Sequence, residues 1–403
     1  MKKVIKCGQL FDSNTGKVLQ DQAVVIDGNK IIEVVPAASV DCTGAEIIDL
    51  SGKFVMPGLI DAHVHINMNG EPSVSYAVKS DAATALDSMI YAQRDLLAGF
   101  TTLRDEGAQG YSDVAVRNAI NAGKFFGPRI SCSGEAIGGT GGHADSNFLP
   151  AVTGKHAFGQ IIDSPDEGRK AARTAFKYGA DQIKIMATGG VMSFGDEPGA
   201  PELTYEEMKA IIDVAASKGK ITSAHAHGAE GIKIAIRAGI TSIEHGMLMD
   251  DECIDMMAEH GTYLIPTIIA AYRIVKYGAE SGIPAWAVEK AKICLDNDYE
   301  SLRKCIAKGV KIGFGTDTGT PYNKHGEQGF EFSLMKEVGF TTEYILQAAT
   351  RINAEMMKMD HQIGSIEAGK LADIVAFDVS PFEDISVMER CSFVMKDGTV
   401  YKA

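Results

Sequence analysis

The chain has 403 residues, of which 45% are hydrophobic and 23% charged, enough apolar material for a large buried core. With 39 Lys and Arg against 53 Asp and Glu, the formal net charge is −14. That balance excludes nucleic acid and anionic membrane as main partners, but not an anionic small substrate, because a local field can differ from the net charge.

The N-terminal run Met1 to Lys6 has no apolar signal core, and Gly8 to Gly16 is polar. Residues 1–54 read as short alternating strands with turns: Val4-Ile5-Lys6, then Ala23–Ile26 before Asp27-Gly28, then Ile31–Val35 and Ile47–Leu50. From Val55 the pattern changes to short β-branched runs, each followed by a loop, a helical segment and a Gly. Eight such runs occur: Val55–His65, Phe100–Asp105, Arg129–Ala136, Gln182–Ala187, Ile221–His227, Thr241–His245, Tyr263–Thr267 and Lys311–Asp317. The intervening helices are clearest over Glu206–Gly219 and Ala229–Gly239, with apolar residues three to four apart and a closing Gly. Alternating strand and helix predicts a parallel sheet, and eight units predict closure into a (β/α)8, TIM-like barrel.

The longest intervals, 66–80, 137–165 and 268–292, are expected to be binding loops on the face where barrel active sites form. The stretch Tyr263 to Tyr272 is the most apolar and is far too short to span a bilayer. Residues 371–402 return to short strands, Ala372–Phe377, Phe393–Lys396 and Thr399–Lys402, with Asp397-Gly398 as a turn. Neither chain end can build a comfortable core alone. They are either separate decorations of the barrel or two halves of one small domain. Seven cysteines are scattered without a C-x-x-C pattern, which fits a reducing compartment, so a cytoplasmic location is expected.

The chemistry lies at the ends of the runs. In Asp61-Ala62-His63-Val64-His65 the two imidazoles are two residues apart and face the same way, so they could grip one ion or be ordinary core histidines. Lys184 is flanked by Ile183 and Ile185. Such a lysine is costly to bury unless it is paired with a carboxylate or neutralised, for example as a CO2-derived carbamate bridging two cations. His225-Ala226-His227-Gly228 and Glu244-His245-Gly246 end the fifth and sixth runs. Asp317, in Gly315–Gly319, could bind metal and take a proton from water, or cap a helix. Together, inward His, Lys, His, His and Asp at the ends of runs one, four, five, six and eight converge on one rim. Gly138 to Gly142 reads as a flexible support carrying His143 over the mouth, and Thr188-Gly189-Gly190 as a tight turn. Arg104 and Asp105 read as an internal salt bridge. No Ser-His-Asp order with a nucleophile elbow is present.

Pro57-Gly58-Leu59-Ile60-Asp61-Ala62-His63-Val64-His65 resembles the first-strand motif of the amidohydrolase superfamily. Lys184, His225, His245 and Asp317 follow that family's order, and Gly364–Val375 is typical of it. Gly141–Asp145, Ile183–Val191 and His225–Gly228 resemble the group of imidazolonepropionase-like proteins, Xaa-Pro dipeptidases and Xaa-Arg/Lys carboxypeptidases. The resemblance implies one joint β-sandwich domain from residues 1–54 plus 365–403, and a hydrolase barrel over 55–364. It implies two divalent metals, zinc being expected. His63, His65 and Asp317 hold one, His225 and His245 the other, and carbamylated Lys184 bridges them. Asp317 acts as proton acceptor, while His143 and His227 hold the substrate's carbonyl oxygen and terminal carboxylate. The implied substrate is a dipeptide or N-acyl amino acid cleaved at its amide bond, in a homo-oligomer with no membrane or nucleic-acid partner. The alternative is a mononuclear cyclic-amide hydrolase or deaminase of the imidazolonepropionase type.

Overall fold

A computed structural model of the chain describes residues 2–72, 79–145 and 159–403. The strands, in chain order, are β1 (Lys2–Asp12), β2 (Lys17–Asp27), β3 (Lys30–Pro36), β4 (Glu46–Pro57), β5 (Leu59–Val64), β6 (Phe100–Asp105), β7 (Arg129–Cys132) and β8 (Ala136–Gly139). They continue as β9 (Gly159–Ile162), β10 (Ile183–Met186), β11 (Thr222–Gly228), β12 (Ser242–Leu248), β13 (Tyr263–Ile265), β14 (Ile374–Phe377), β15 (Phe393–Lys396) and β16 (Thr399–Lys402). The chain forms two compact units, Met1–Asp61 with Gln93–Leu103 and Gly326–Ala403, and Ala62–Ala92 with Arg104–His325.

In the first unit both chain ends join one seven-stranded sheet of order β16-β15-β14-β4-β1-β2-β3. β1 lies antiparallel to β2 and parallel to β4, and β14 returns antiparallel to β4, with Ile374 opposite Pro57 and Phe377 opposite Phe54. Strand alternation sorts the apolar residues. Ile5, Cys7, Val24, Ile26, Val55, Ile374 and Phe393 pack into one cluster, while Val4, Ala23 and Val25 face a second. Each fully buried Val, Ile or Phe there contributes roughly 1.5–3 kcal/mol.

The second unit is mixed α/β, and the pairs of its six-stranded sheet are parallel. Six strands run in the order β13-β12-β11-β10-β8-β9; a separate sheet of the chain, whose first two strands are divided between the units, has the order β5-β6-β7. Asp181 N donates to Cys132 O at 2.7 Å beside β7, Ala62 N to Phe314 O at 3.0 Å, and Leu264 bridges Ile312. The helix Tyr205–Ala216 starts with a reciprocal cap between Thr204 and Glu207. Ala229–Ala238 stops at Gly239, whose φ of 97° suits a residue without Cβ. No helix among the described residues is long and apolar enough to cross a membrane.

Several expected elements differ. The run Val55–His65 breaks at Pro57-Gly58, and its first residues belong to β4. Arg129–Ala136 divides into β7 and β8 around Gly134, whose φ is 66°. A strand, β9, occupies part of the interval expected to be a loop over 137–165, and Gly138 and Gly139 lie within β8 rather than in a flexible support. The interval 268–292 is mostly helical, holding Ile268–Tyr277 and the start of Ala285–Lys308. Among the described residues the eighth run makes only an isolated bridge, at Ile312, with a second at Thr318 just past its end. Part of each of the intervals 66–80 and 137–165 lies outside the described residues.

Candidate active site

Arg104 on β6 and Glu106 just past its end are two residues apart, the spacing that keeps one face of an extended chain, and both are fully buried. Arg104 Nη2 donates to both Glu244 oxygens at 2.8 and 2.9 Å, and Nε lies 3.1 Å from Glu106 Oε1. Arg104, expected to pair with Asp105, thus reaches Glu106 and Glu244, while Asp105 accepts from the N–H groups of Ile66 and Gly107. Lys184 Nζ stands 3.2 Å from Glu106 Oε2. Gln182 Nε2 and the Ser223 hydroxyl also donate to the Glu106 carboxylate, at 2.8 and 2.5 Å. Four charged side chains are therefore buried together with their hydrogen bonds made, the condition under which such groups persist in an interior.

Above this floor the imidazoles gather. His63 and His65 have ring centroids 5.3 Å apart, His63 and His245 5.0 Å, and His225 and His245 4.7 Å. Each ring is pinned from behind. His63 Nδ1 is 2.8 Å from Glu244 Oε2, His65 Nδ1 3.1 Å from the Gly107 carbonyl, and His245 Nδ1 2.6 Å from the Thr267 hydroxyl. The first two partners only accept, so those nitrogens carry the proton and Nε2 is the atom offered forward. His225 is reversed: its Nε2 donates to the Gly189 carbonyl at 3.2 Å, which leaves Nδ1 as its basic atom. Asp317 Oδ1 lies 3.3 Å from His63 Nε2 and 3.1 Å from His65 Nε2.

His245, Thr267 and Asp317 have φ of 71°, 49° and 56°, a left-handed backbone rarely adopted by side chains of this kind. Strict alternation on β12 would send Glu244 and His245 to opposite faces. The left-handed turn at His245 brings both to the interior. Strain of this sort, roughly 1–3 kcal/mol per residue, collects where geometry serves chemistry.

Burial and the neighbouring imidazoles hold His225 and His245 well below the ordinary histidine range, and burial brings His227 down to about 3 and His143 to about 4. Neutral rings of this kind are the ligating form. Burial alone would raise Asp317, but the adjoining His63 and His65 rings hold its carboxyl well below the carboxylate range. Burial would likewise raise Glu244, which Arg104 and His63 bring down to about 2. His65 runs the other way: burial opposes its protonation, yet the Asp317 carboxylate beside it raises it.

His63, His245 and Asp317 present ligand atoms that all lie within 4.8 Å of one another, a nitrogen and oxygen set that fits a divalent ion such as zinc. His63, Glu106 and Glu244 also approach this closely, but Arg104 already holds both carboxylates. His63, His65, Glu106, Lys184, His225, His245 and Asp317 line an open cleft, together with His143, His227 and an apolar wall that includes Met186, Val191, Met192, Met247 and Ile274. His143 stacks on His225 with centroids 4.2 Å apart, and its backbone N–H donates to the Glu202 carboxylate. Gly190 allows this approach, since a Cβ there would fall 2.2 Å from the His143 ring. Thr188-Gly189-Gly190 is accordingly not a tight turn but the start of a loop tied by the Thr188–Pro201 bridge.

All eight residues singled out from the sequence line this one cleft, with Lys184 at its floor. Glu106, Glu244 and Thr267 were missed as functional partners. Glu106 had a signal, because it shares a strand face with Arg104 just past the end of the second run.

The amidohydrolase family model matches residues 54–402. The chain is 31% identical to an ochratoxinase of Aspergillus niger over 371 residues, covering 86% of this chain and 75% of that protein. It is 24% identical to an imidazolonepropionase of Brevibacillus brevis over 381 residues, covering 89% and 83%. A crystal structure of a Xaa-Pro dipeptidase with methionine bound in its active site superposes with a TM-score of 0.92 at 37% identity, covering 100% of both chains. The chain is a hydrolase belonging to the amidohydrolase family.

Proposed function

We propose that the protein is a binuclear metal-dependent amidohydrolase that cleaves the amide bond of a dipeptide or N-acyl amino acid and releases the C-terminal amino acid. The observation that carries this reading is the convergence of His63, His65, His225, His245, Lys184 and Asp317 on one cleft with an apolar wall. The named relatives support the bond class, since a Xaa-Pro dipeptidase and an ochratoxinase are among them. In this reading residues 55–364 close as a (β/α)8 barrel, and the chain ends form a small domain from 1–54 and 365–403. The enzyme is a cytoplasmic homo-oligomer without nucleic-acid or membrane partners.

His63, His65 and Asp317 would hold one ion, His225 and His245 the other, with Lys184 as a carbamate between them. When bound, divalent ions such as zinc supply Lewis acidity and make water nucleophilic at neutral pH. The chain's own groups do the rest. Asp317 accepts the proton of the attacking water and delivers it to the leaving nitrogen. His143 and His227 hold the substrate, and the methionine-rich wall excludes water from its apolar side chain. Glu244, Gly107 and Thr267 keep three imidazoles from rotating.

One observation favours a second reading. The ion pair of Lys184 with Glu106 satisfies the lysine without a carbamate, as a mononuclear cyclic-amide hydrolase or deaminase would require. A library of dipeptides and N-acyl amino acids, varied at the C-terminal residue and run on metal-loaded enzyme with metal counted per chain, separates the two. Release of a C-terminal amino acid with two metals per chain is expected. One metal per chain and no release from any member would overturn the binuclear reading.

A further inference from the structure

The loop after β10 folds around a lysine that does not itself line the cleft. Lys290, on the helix Ala285–Lys308, donates to the carbonyls of Gly190 and Ser193 at 3.2 and 2.9 Å. It also reaches the backbone carbonyl of Asp196 and, at 3.0 Å, the Asp196 carboxylate. An ammonium carries three hydrogens, so these oxygens occupy all of them. Asp196 turns back on the same loop and accepts from the Gly190 N–H at 2.9 Å. The pair is nearly enclosed, with the Lys290 and Asp196 side chains 13% and 7% exposed. On the outer side Phe194 packs edge-on against Trp286, with ring centroids 5.6 Å apart.

The loop needs such a tie. Residues 190–200 form no helix or strand, and Gly189, Gly190, Gly195 and Gly199 give this backbone wide freedom that a fixed shape must give up. Yet the loop supplies Val191 and Met192 to the cleft. Both pack in one apolar cluster with Met247, Ala271 and Ile274, which line the cleft beside them. The same cluster takes in Ala287, Val288 and Ala291 from the helix that carries Lys290. One helix therefore holds the loop twice, by its apolar face under Val191 and Met192 and by its ammonium among the carbonyls.

We infer that Lys290 is a positioning residue for specificity: by gathering the carbonyls of residues 190–196 around one ammonium, it fixes Val191 and Met192 as the wall of a subsite for the apolar side chain of the released amino acid. The subsite rests on the proposed function; the clamp on the loop does not. Lys290 stands behind the wall and touches no reacting atom. Its loss changes which side chains are accepted and leaves the hydrolytic groups in place.

Lys290→Met combined with Asp196→Asn removes the ammonium without stranding a buried charge. Phe194 is 54% exposed, so chymotrypsin can report on the loop in the full-length protein, with the cut after Phe194 identified by mass spectrometry. The double variant is expected to be cut there at least about tenfold faster than wild type, since several hydrogen bonds to a charged group are lost. An unchanged rate overturns the clamp. The subsite is read from kcat/KM for N-acetyl-L-methionine against N-acetylglycine on zinc-loaded enzyme. Wild type should prefer the methionine compound by about 10- to 100-fold, the value of burying such a side chain. The double variant should lose most of that preference while hydrolysing N-acetylglycine at close to the wild-type rate. No preference in wild type, a preference kept by the variant, or a loss of both activities in step overturns the subsite. If neither compound is cleaved, the proposed activity fails, and the subsite is read in wild type from protection against the cut at Phe194. N-acetyl-L-methionine is expected to protect and N-acetylglycine is not; equal effects from the two overturn it.

Discussion

Lys184 Nζ and Glu106 Oε2 are 3.2 Å apart, and neither side chain is more than 1% exposed. The pair joins the lysine of β10 to the charged floor, so the lysine has a structural partner as well as a place in the proposed metal site. Removing one member of a buried pair strands the other, at a cost of about 3–5 kcal/mol. Lys184→Ala is expected to lose that stability in urea unfolding, bind less metal by elemental analysis, and show no turnover. Combining Lys184→Met with Glu106→Gln should recover most of the stability and none of the activity. Near-wild-type turnover in either variant would refute the proposed role of the lysine.

Asp317→Asn keeps the shape of the side chain but removes the proton acceptor. We expect kcat to fall by about 10²–10⁴-fold, the usual contribution of a positioned acid–base group, with an unchanged circular dichroism spectrum. Steady-state kinetics on the best member of the library decides this, and a loss under tenfold counts against Asp317 as the base.

Dialysis against a strong chelator should abolish turnover and lower Tm, because a ligand that binds only the folded chain stabilises it by mass action. Adding back zinc or another divalent ion should restore both. A chain that keeps its full rate after verified metal removal would rule out metal-dependent hydrolysis.

Arg104 bonds to Glu244 and Glu106 with no part of any of the three side chains exposed. Arg104→Met leaves two buried carboxylates without their cation, and unfolding in urea should show a loss of about 3–5 kcal/mol. His63, held by Glu244, should also become mobile, which NMR relaxation of its ring would reveal. Wild-type stability in this variant would mean that water or a rearranged lysine replaces the guanidinium.

Asp298, on the helix Ala285–Lys308, is fully buried, and neither of its side-chain oxygens has a hydrogen-bond partner among the described residues. Burial holds its carboxyl well above the carboxylate range. The folded chain therefore keeps a proton that the unfolded chain releases near its ordinary pKa of about 3.9. The unfolded state gains from every pH step above that value until the folded carboxyl ionises too. Asp298→Leu should stabilise the protein by on the order of 1–3 kcal/mol, with a larger gain in Tm at pH 7 than at pH 4. A gain independent of pH would show that Asp298 is not held protonated.

Much of the site was legible because histidine pairs two residues apart at strand ends keep one face, as His63 and His65 or His225 and His227 do. His245 was read as inward from its place at the end of the sixth run. Its neighbour Glu244 also points inward, and only the left-handed backbone at His245 reconciles the two. The second barrel run was bounded at Asp105, so Glu106, which completes the floor, fell outside it. Residues 311–317 have the composition of a strand, but the bonds from Thr316 and Asp317 N–H to the single His63 carbonyl replace a regular ladder. The interval 268–292 was expected to be a binding loop from its length alone, whereas two helices fill most of it, with Gly278, Gly282 and Pro284 in the link between them.

The pairing of β14 with β4 has a consequence for biosynthesis. β4 is complete once Pro57 has left the ribosome, yet the strand that covers its free side begins at Ile374. At about 5–20 residues per second, the open edge waits for tens of seconds while the intervening chain is made. During that interval Phe54 and Val55 lack their eventual neighbours and form a sticky ledge, one that nascent-chain chaperones would be expected to shield and that a truncation before residue 374 would leave permanently uncovered.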